Sequence, residues 1–132
     1  MEDRFVYADN AATTPIDPRV LEKMMPFLTT EYGNASTLYS LGHASHDAME
    51  NARAEVARLM NADPAEIYFT GCGSESDNMA LRGWMHSKQA GGKKHLITTA
   101  IEHHAILHTA QALEKAGFEV TYLPVDKHGM VE

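Results

Sequence analysis

The chain reads as an α/β protein on a mainly parallel sheet, and three observations lead there. Short runs rich in β-branched and aromatic residues at 66–70, 95–99 and 119–123 alternate with longer runs of helical periodicity. Each interval is too long for a hairpin and suits a crossover helix, so successive strands run the same way. Finally, Ile67-Tyr68-Phe69-Thr70 runs straight into the glycine-bracketed turn Gly71-Cys72-Gly73-Ser74. Ligands on parallel sheets bind outside the carboxyl ends of the strands, where such turns sit.

At 132 residues the chain can form one domain with a real core. Hydrophobic content of 44% with 22% charge is globular composition, not the profile of disorder. A net charge of −7 argues against a nucleic-acid-binding surface. The charged start Met1-Glu2-Asp3-Arg4 shows no secretory signal, and no apolar run is long enough to cross a bilayer. A lone cysteine, Cys72, fits a reducing compartment, and the cytoplasm is the expected location.

The elements follow in order. Asp17-Pro18 suits the N-cap and first position of a helix carrying Val20, Leu21, Met24 and Phe27 on one side, which Pro26 should kink or end. Residues 29–41 read as an ordered loop. A long helix from about Ala44 to Met60 follows, with Ala48, Met49, Ala52, Val56 and Leu59 at helical spacing. After strand 66–70, a helix spans about Ser74 to Ser87, and a glycine- and lysine-rich loop leads into strand 95–99. The helix from about His103 to Ala116 presents Ile106, Leu107, Ala110 and Leu113, and Gly117 is its stop. Strand 119–123 comes next, and 124–132 looks like a turn entering further structure. Three parallel strands with an open edge make a poor finished domain, so the chain reads as the front part of something larger.

The glycine turn is the first candidate site. Gly71 and Gly73 permit close backbone approach, and Ser74 with Asp77 fits a capping box. Free N–H groups and the helix dipole at such a start suit a phosphate, although many such turns only connect elements. The spacing is not that of a nucleotide P-loop. His103 falls on the same rim, after the second strand. At a helix N-terminus its imidazolium is disfavoured, and a neutral ring can stack on a flat heteroaromatic group while still exchanging protons. The alternative is a plain capping role. His104 and His108 stand four apart, but no carboxylate completes the H-E-x-x-H arrangement and no cysteine is near, so no metal site is expected. Glu75 and Glu102 can be drawn as an acid–base pair only without knowing their separation. Cys72 is a conceivable nucleophile with a depressed pKa, but a small loop residue is the preferred reading. The polar run Tyr7-Ala8-Asp9-Asn10-Ala11-Ala12-Thr13-Thr14-Pro15 reads as an ordered arm, able to line a pocket.

Four motifs in register, Asp9 to Pro15, Tyr32-Gly33-Asn34-Ala35-Ser36, Phe69 to Asn78 and Glu102-His103, resemble the N-terminal third of cysteine desulfurases of the NifS/IscS type. These are class V aminotransferases within the fold-type I pyridoxal-phosphate (PLP) enzymes. The resemblance implies an incomplete large PLP-binding domain over 16–132, and an arm over 1–15 that belongs to the family's small domain. It implies an enzyme that takes sulfur from L-cysteine, leaving L-alanine and an enzyme persulfide for iron–sulfur cluster or thio-cofactor assembly. Gly73 and Ser74 would bind the PLP phosphate, and His103 would stack on the ring and assist proton transfer. Ala12 and Thr13 would lie beside the substrate. It further implies a homodimer and a scaffold or sulfur-acceptor protein as partner. The family's Schiff-base lysine, pyridine-binding aspartate and persulfide cysteine lie further toward the C-terminus, so this portion alone is expected to be inactive. Cys72 aligns within the phosphate loop, and Ala35, Thr37 and Tyr39 replace a proline, a serine and a histidine of the family pattern. Two alternatives stay open: another class V aminotransferase or lyase, and a non-catalytic scaffold that keeps a phosphate pocket.

Overall fold

The computed structural model describes residues 5–131. They form two compact units, one ending at Tyr68 and the other beginning at Phe69.

In the first unit, helix α1 spans Pro18–Thr29. The Asp17 carboxylate caps it by accepting from the Arg19 N–H at 2.8 Å. The Arg19 guanidinium beside that carboxylate holds the Asp17 pKa below the usual carboxylate range. Pro26 does not end the helix as expected. It removes only the bond its own N–H would make, and its carbonyl accepts from the Thr30 and Glu31 N–H groups at 2.8 Å each. A 3-10 turn, Ser40–Gly42, then leads into helix α2, His43–Met60. Asn61, in the left-handed region at φ 53°, stops α2, and the Ala62 N–H returns to the Ala57 carbonyl at 2.9 Å.

The predicted strand at 66–70 is not formed. Pro64–Glu66 is a 3-10 turn closed by a capping box between Asp63 and Glu66, and residues 67–70 belong to no strand. Composition favours a strand there, but a strand exists through its ladder, and this segment pairs with no other strand among the described residues. The Ile67 carbonyl is taken instead by the Arg53 guanidinium.

The second unit carries the α/β pattern. Helix α3 spans Gly73–His86, strand β1 His95–Thr99, helix α4 His104–Lys115 and strand β2 Glu119–Leu123. The strands pair in parallel, His95 with Glu119 through Thr99 with Leu123, joined by the crossover helix α4. Gly117, at φ 91°, ends α4 in a Schellman motif: its N–H reaches the Glu114 carbonyl at 3.0 Å, and the Phe118 N–H reaches that of Leu113 at 3.1 Å. After β2 the chain folds back through a turn at Asp126–Gly129 to a single antiparallel bridge, Val125 to Val131.

Among the described residues the buried hydrophobic side chains are Ala57, Met85, Ala90, Ala110 and Leu113. Helix α1 has none, although Val20, Leu21, Met24 and Phe27 lie at helical spacing and are 39–50% exposed. The accessible surface is 10852 Å². Two separate folded proteins of half this mass would expose about 8,300 Å² together. Much apolar surface is therefore uncovered. No helix among the described residues is long and apolar enough to cross a membrane.

Candidate functional site

The second unit contains a cleft of about 370 Å³ between the start of α3 and the start of α4. Its lining is Ser74, Asn78 and Arg82 from α3, with His103, His104, Ala105, His108 and Thr109 from the beginning of α4. Ser74, Asn78 and Arg82 lie four residues apart on one face of α3, and His104 and His108 repeat that spacing on α4. No carboxylate lines the cleft, although the chain carries eighteen acidic residues.

The start of α3 differs from the expected capping. Cys72 is the N-cap, in extended backbone and without a side-chain cap, so Ser74 falls at the second helical position. Glu75, not Asp77, folds back over this start, its carboxylate accepting from the Gly71 N–H at 2.6 Å, one residue before the N-cap. Thr70 and Ser76 join their hydroxyls at 2.6 Å across the same turn. The Gly73 and Ser74 N–H groups belong to the first turn, where no preceding turn supplies carbonyls. A side chain at Gly73 would meet nothing within 4 Å, so the space beside that backbone is open. Gly73 itself does not line the cleft; Ser74, the next residue, does.

His103 is the N-cap of α4, and its Nδ1 accepts from the Ala105 N–H at 3.1 Å. An accepting Nδ1 leaves Nε2 as the ring nitrogen able to hold a proton. The cleft floor is fixed by one buried contact. Thr109, 3% exposed, donates its hydroxyl to Asn78 Oδ1 at 2.8 Å, while Asn78 Nδ2 donates to the Ser74 carbonyl at 2.9 Å. This bond ties α3 to α4 directly below the site. Replacing Thr109 by valine keeps the shape and strands the Asn78 oxygen, which is expected to destabilise the unit by about 1–3 kcal/mol in denaturant unfolding. An unchanged midpoint would show that the contact carries no weight.

Ser74 and His103, singled out from sequence, thus share one cleft. Ala12 and Thr13 belong to the first unit, where both are exposed; there the Tyr7 hydroxyl donates to the carbonyls of Asp9 and Thr13 at 2.9 and 3.0 Å. Glu75 and Glu102 are each engaged locally, Glu102 accepting from the Thr99 hydroxyl at 2.8 Å. Cys72 is an exposed free thiol. Sequence reasoning missed Arg82; it shares the i, i+4, i+8 stripe with Ser74 and Asn78, but that spacing becomes a signal only once the face of α3 that meets α4 is known.

Residues 6–132 match the family model described as Aminotransferase class-V. The chain belongs to the class-V aminotransferase family. Within it, the chain is 51% identical over 130 residues to the cysteine desulfurase IscS of Methanosarcina thermophila, covering 98% of this chain and 32% of the relative. It is 54% identical over 126 residues to the cysteine desulfurase IscS of Clostridium botulinum, again covering 32% of the relative. Among solved structures, a NifS-like protein superposes with a TM-score of 0.86 at 42% identity, over 94% of this chain and 34% of that one. SspA in complex with cysteine superposes with a TM-score of 0.80 at 40% identity, over 88% of this chain and 33% of that one. This class-V chain therefore spans about a third of the length of the relatives it matches. The expected α/β fold with parallel pairing stands.

Proposed function

We propose that these residues are part of a PLP-dependent cysteine desulfurase, which takes sulfur from L-cysteine and leaves L-alanine and an enzyme persulfide. One observation carries the reading: Ser74, in the first turn of α3, and His103, at the cap of α4, line one carboxylate-free cleft. The residues present fit a phosphorylated heteroaromatic ring. The Gly73 and Ser74 N–H groups and the Ser74 hydroxyl suit the phosphate, helped by the positive end of the α3 dipole. His103 presents a flat ring, and its Nε2 is the atom able to hold or pass a proton, because Nδ1 is engaged by Ala105. When bound, PLP supplies an electron sink for the amino-acid substrate. Asn78, held by Thr109, keeps the Ser74 turn in place.

The finer assignments rest on the family resemblance. Ala12 and Thr13 are placed on the substrate side, residues 1–15 in an arm of the small domain, and 16–132 in the first portion of the large domain. A homodimer, a scaffold or sulfur-acceptor partner, iron–sulfur cluster or thio-cofactor assembly and a cytoplasmic location belong to the same proposal. Support for the substrate comes from relatives named cysteine desulfurase and from the likeness to SspA in complex with cysteine.

The test is alanine and sulfide production from L-cysteine and PLP by the protein of the whole reading frame that carries these residues. The 132-residue chain alone is expected to produce neither. Turnover of other amino acids in place of cysteine would move the reading to another class-V aminotransferase or lyase. PLP binding without any turnover would favour a scaffold.

A further inference from the structure

We propose that Glu75 is a positioning residue: its carboxylate clamps the turn before α3 and so holds the Gly73 and Ser74 N–H groups open for the cofactor phosphate. The inference rests on the PLP reading above and adds to it a side chain outside the cleft lining. Glu75 is the third residue of α3, a position from which an acidic side chain ordinarily reaches back to the N-cap N–H. Here the N-cap is Cys72, and the carboxylate reaches one residue further, to the Gly71 N–H at 2.6 Å. It passes over the amides of the helix start instead of filling them. Among the described residues the Gly73 and Ser74 N–H groups have no acceptor. The carboxylate therefore fixes the turn from behind and leaves the place of an anion free.

The surroundings agree. A Cβ at Gly71 would stand 3.2 Å from Glu75 Oε2, so glycine there gives the carboxylate its seat. A second link runs beside the first: the Thr70 hydroxyl donates to the Cys72 carbonyl at 3.1 Å and meets the Ser76 hydroxyl at 2.6 Å. Of these contacts only that of Glu75 is charge-assisted, which makes it about twice as strong as a neutral hydrogen bond. On the far side Asn78 holds the Ser74 carbonyl. The turn is thus tied at both ends before a ligand arrives, and a loop ordered in advance binds more tightly than one ordered on binding. Glu75 also acts in the opposite sense, because a negative charge in the first turn competes with a phosphate for the helix dipole. The two effects separate by substitution. Glutamine keeps an acceptor for the Gly71 N–H and removes the charge; alanine removes both.

The experiment is PLP titration of the protein of the whole reading frame, followed by the absorption of the bound cofactor, together with amide exchange of the PLP-free protein. Glu75→Gln should bind PLP as tightly as the unmodified protein, or up to about fivefold more tightly. Glu75→Ala should bind at least about tenfold more weakly than Glu75→Gln, the equivalent of ordering one residue's backbone on binding. Without PLP, exchange at the Gly71 and Ser76 N–H groups should quicken in Glu75→Ala and not in Glu75→Gln. A merely structural carboxylate would lower the unfolding midpoint of Glu75→Ala and leave the affinity of the folded protein the same in both variants. Equal PLP affinity of the two variants, or unchanged exchange at Gly71 in Glu75→Ala, overturns this inference and leaves the PLP reading standing. No uptake of PLP by the unmodified protein overturns both.

Discussion

Gly33→Ala is expected to unfold the loop between α1 and α2 and to lower the stability of the first unit by about 3 kcal/mol, the upper end of overpacking costs. The reason is space. A Cβ at Gly33 would lie 1.8 Å from the Leu41 carbonyl oxygen, 2.4 Å from its carbon and 2.9 Å from the Gly42 nitrogen. All three are backbone atoms, so no rotamer change relieves the overlap. Gly42 meets the same loop from the other side: its Cβ would lie 2.2 Å from Thr37 Oγ1 and 2.4 Å from the Asn34 carbonyl oxygen. Neither glycine has positive φ, so close approach, not conformational freedom, makes glycine necessary. Forcing the backbone apart there breaks the hydrogen bonds that order the loop, Thr37 Oγ1 to the Asn34 carbonyl at 2.7 Å and the Ser36 N–H to Asn34 Oδ1 at 2.9 Å. Gly83→Ala is the contrasting case, because it sits inside α3 with nothing within 4 Å of a Cβ. That change should stabilise its helix by roughly 0.5–1 kcal/mol. Denaturant midpoints and amide exchange at Thr37 and Gly42 read both; equal midpoints for the two variants would refute the packing argument.

How much of the fold is legible in the sequence depends on how local the cause is. The Asp17-Pro18 start, helix α2 and the Gly117 stop rest on contacts within a few residues, and strands 95–99 and 119–123 each find a partner across the single crossover helix between them; each appears where the pattern puts it. Residues 66–70 fail because a strand is a property of its partners, and an apolar β-branched run cannot specify one alone. The cap of α3 fails differently. The pattern Ser74 with Asp77 fits a capping box, but the helix begins earlier, at Gly73 after the extended Cys72, and Glu75 folds back onto the Gly71 N–H instead. The nearness of Ser74 and His103 is readable because both stand at helix starts on the one rim the pattern predicts. Arg82 is not, because its importance depends on which face of α3 meets α4.

His103→Asn should leave α4 intact and weaken PLP binding, whereas His103→Ala should do both kinds of damage. The histidine has two separable jobs. Its Nδ1 caps the helix by accepting from the Ala105 N–H, and its ring offers a flat face to the cleft. Asparagine is among the best N-cap residues and replaces the first function without the second. Loss of the cap in the alanine variant should destabilise the helix by about 0.5–2 kcal/mol. Loss of the ring in either variant removes an aromatic contact of about 0.5–1.5 kcal/mol, a drop in affinity of up to about tenfold. The discriminating readout is the pair of measurements together, unfolding midpoint and PLP affinity, on both variants. A merely structural histidine would be rescued by asparagine in both. Stability restored with affinity still lost is the signature of a ring that touches the cofactor, and full rescue of affinity by asparagine would remove His103 from the cofactor site.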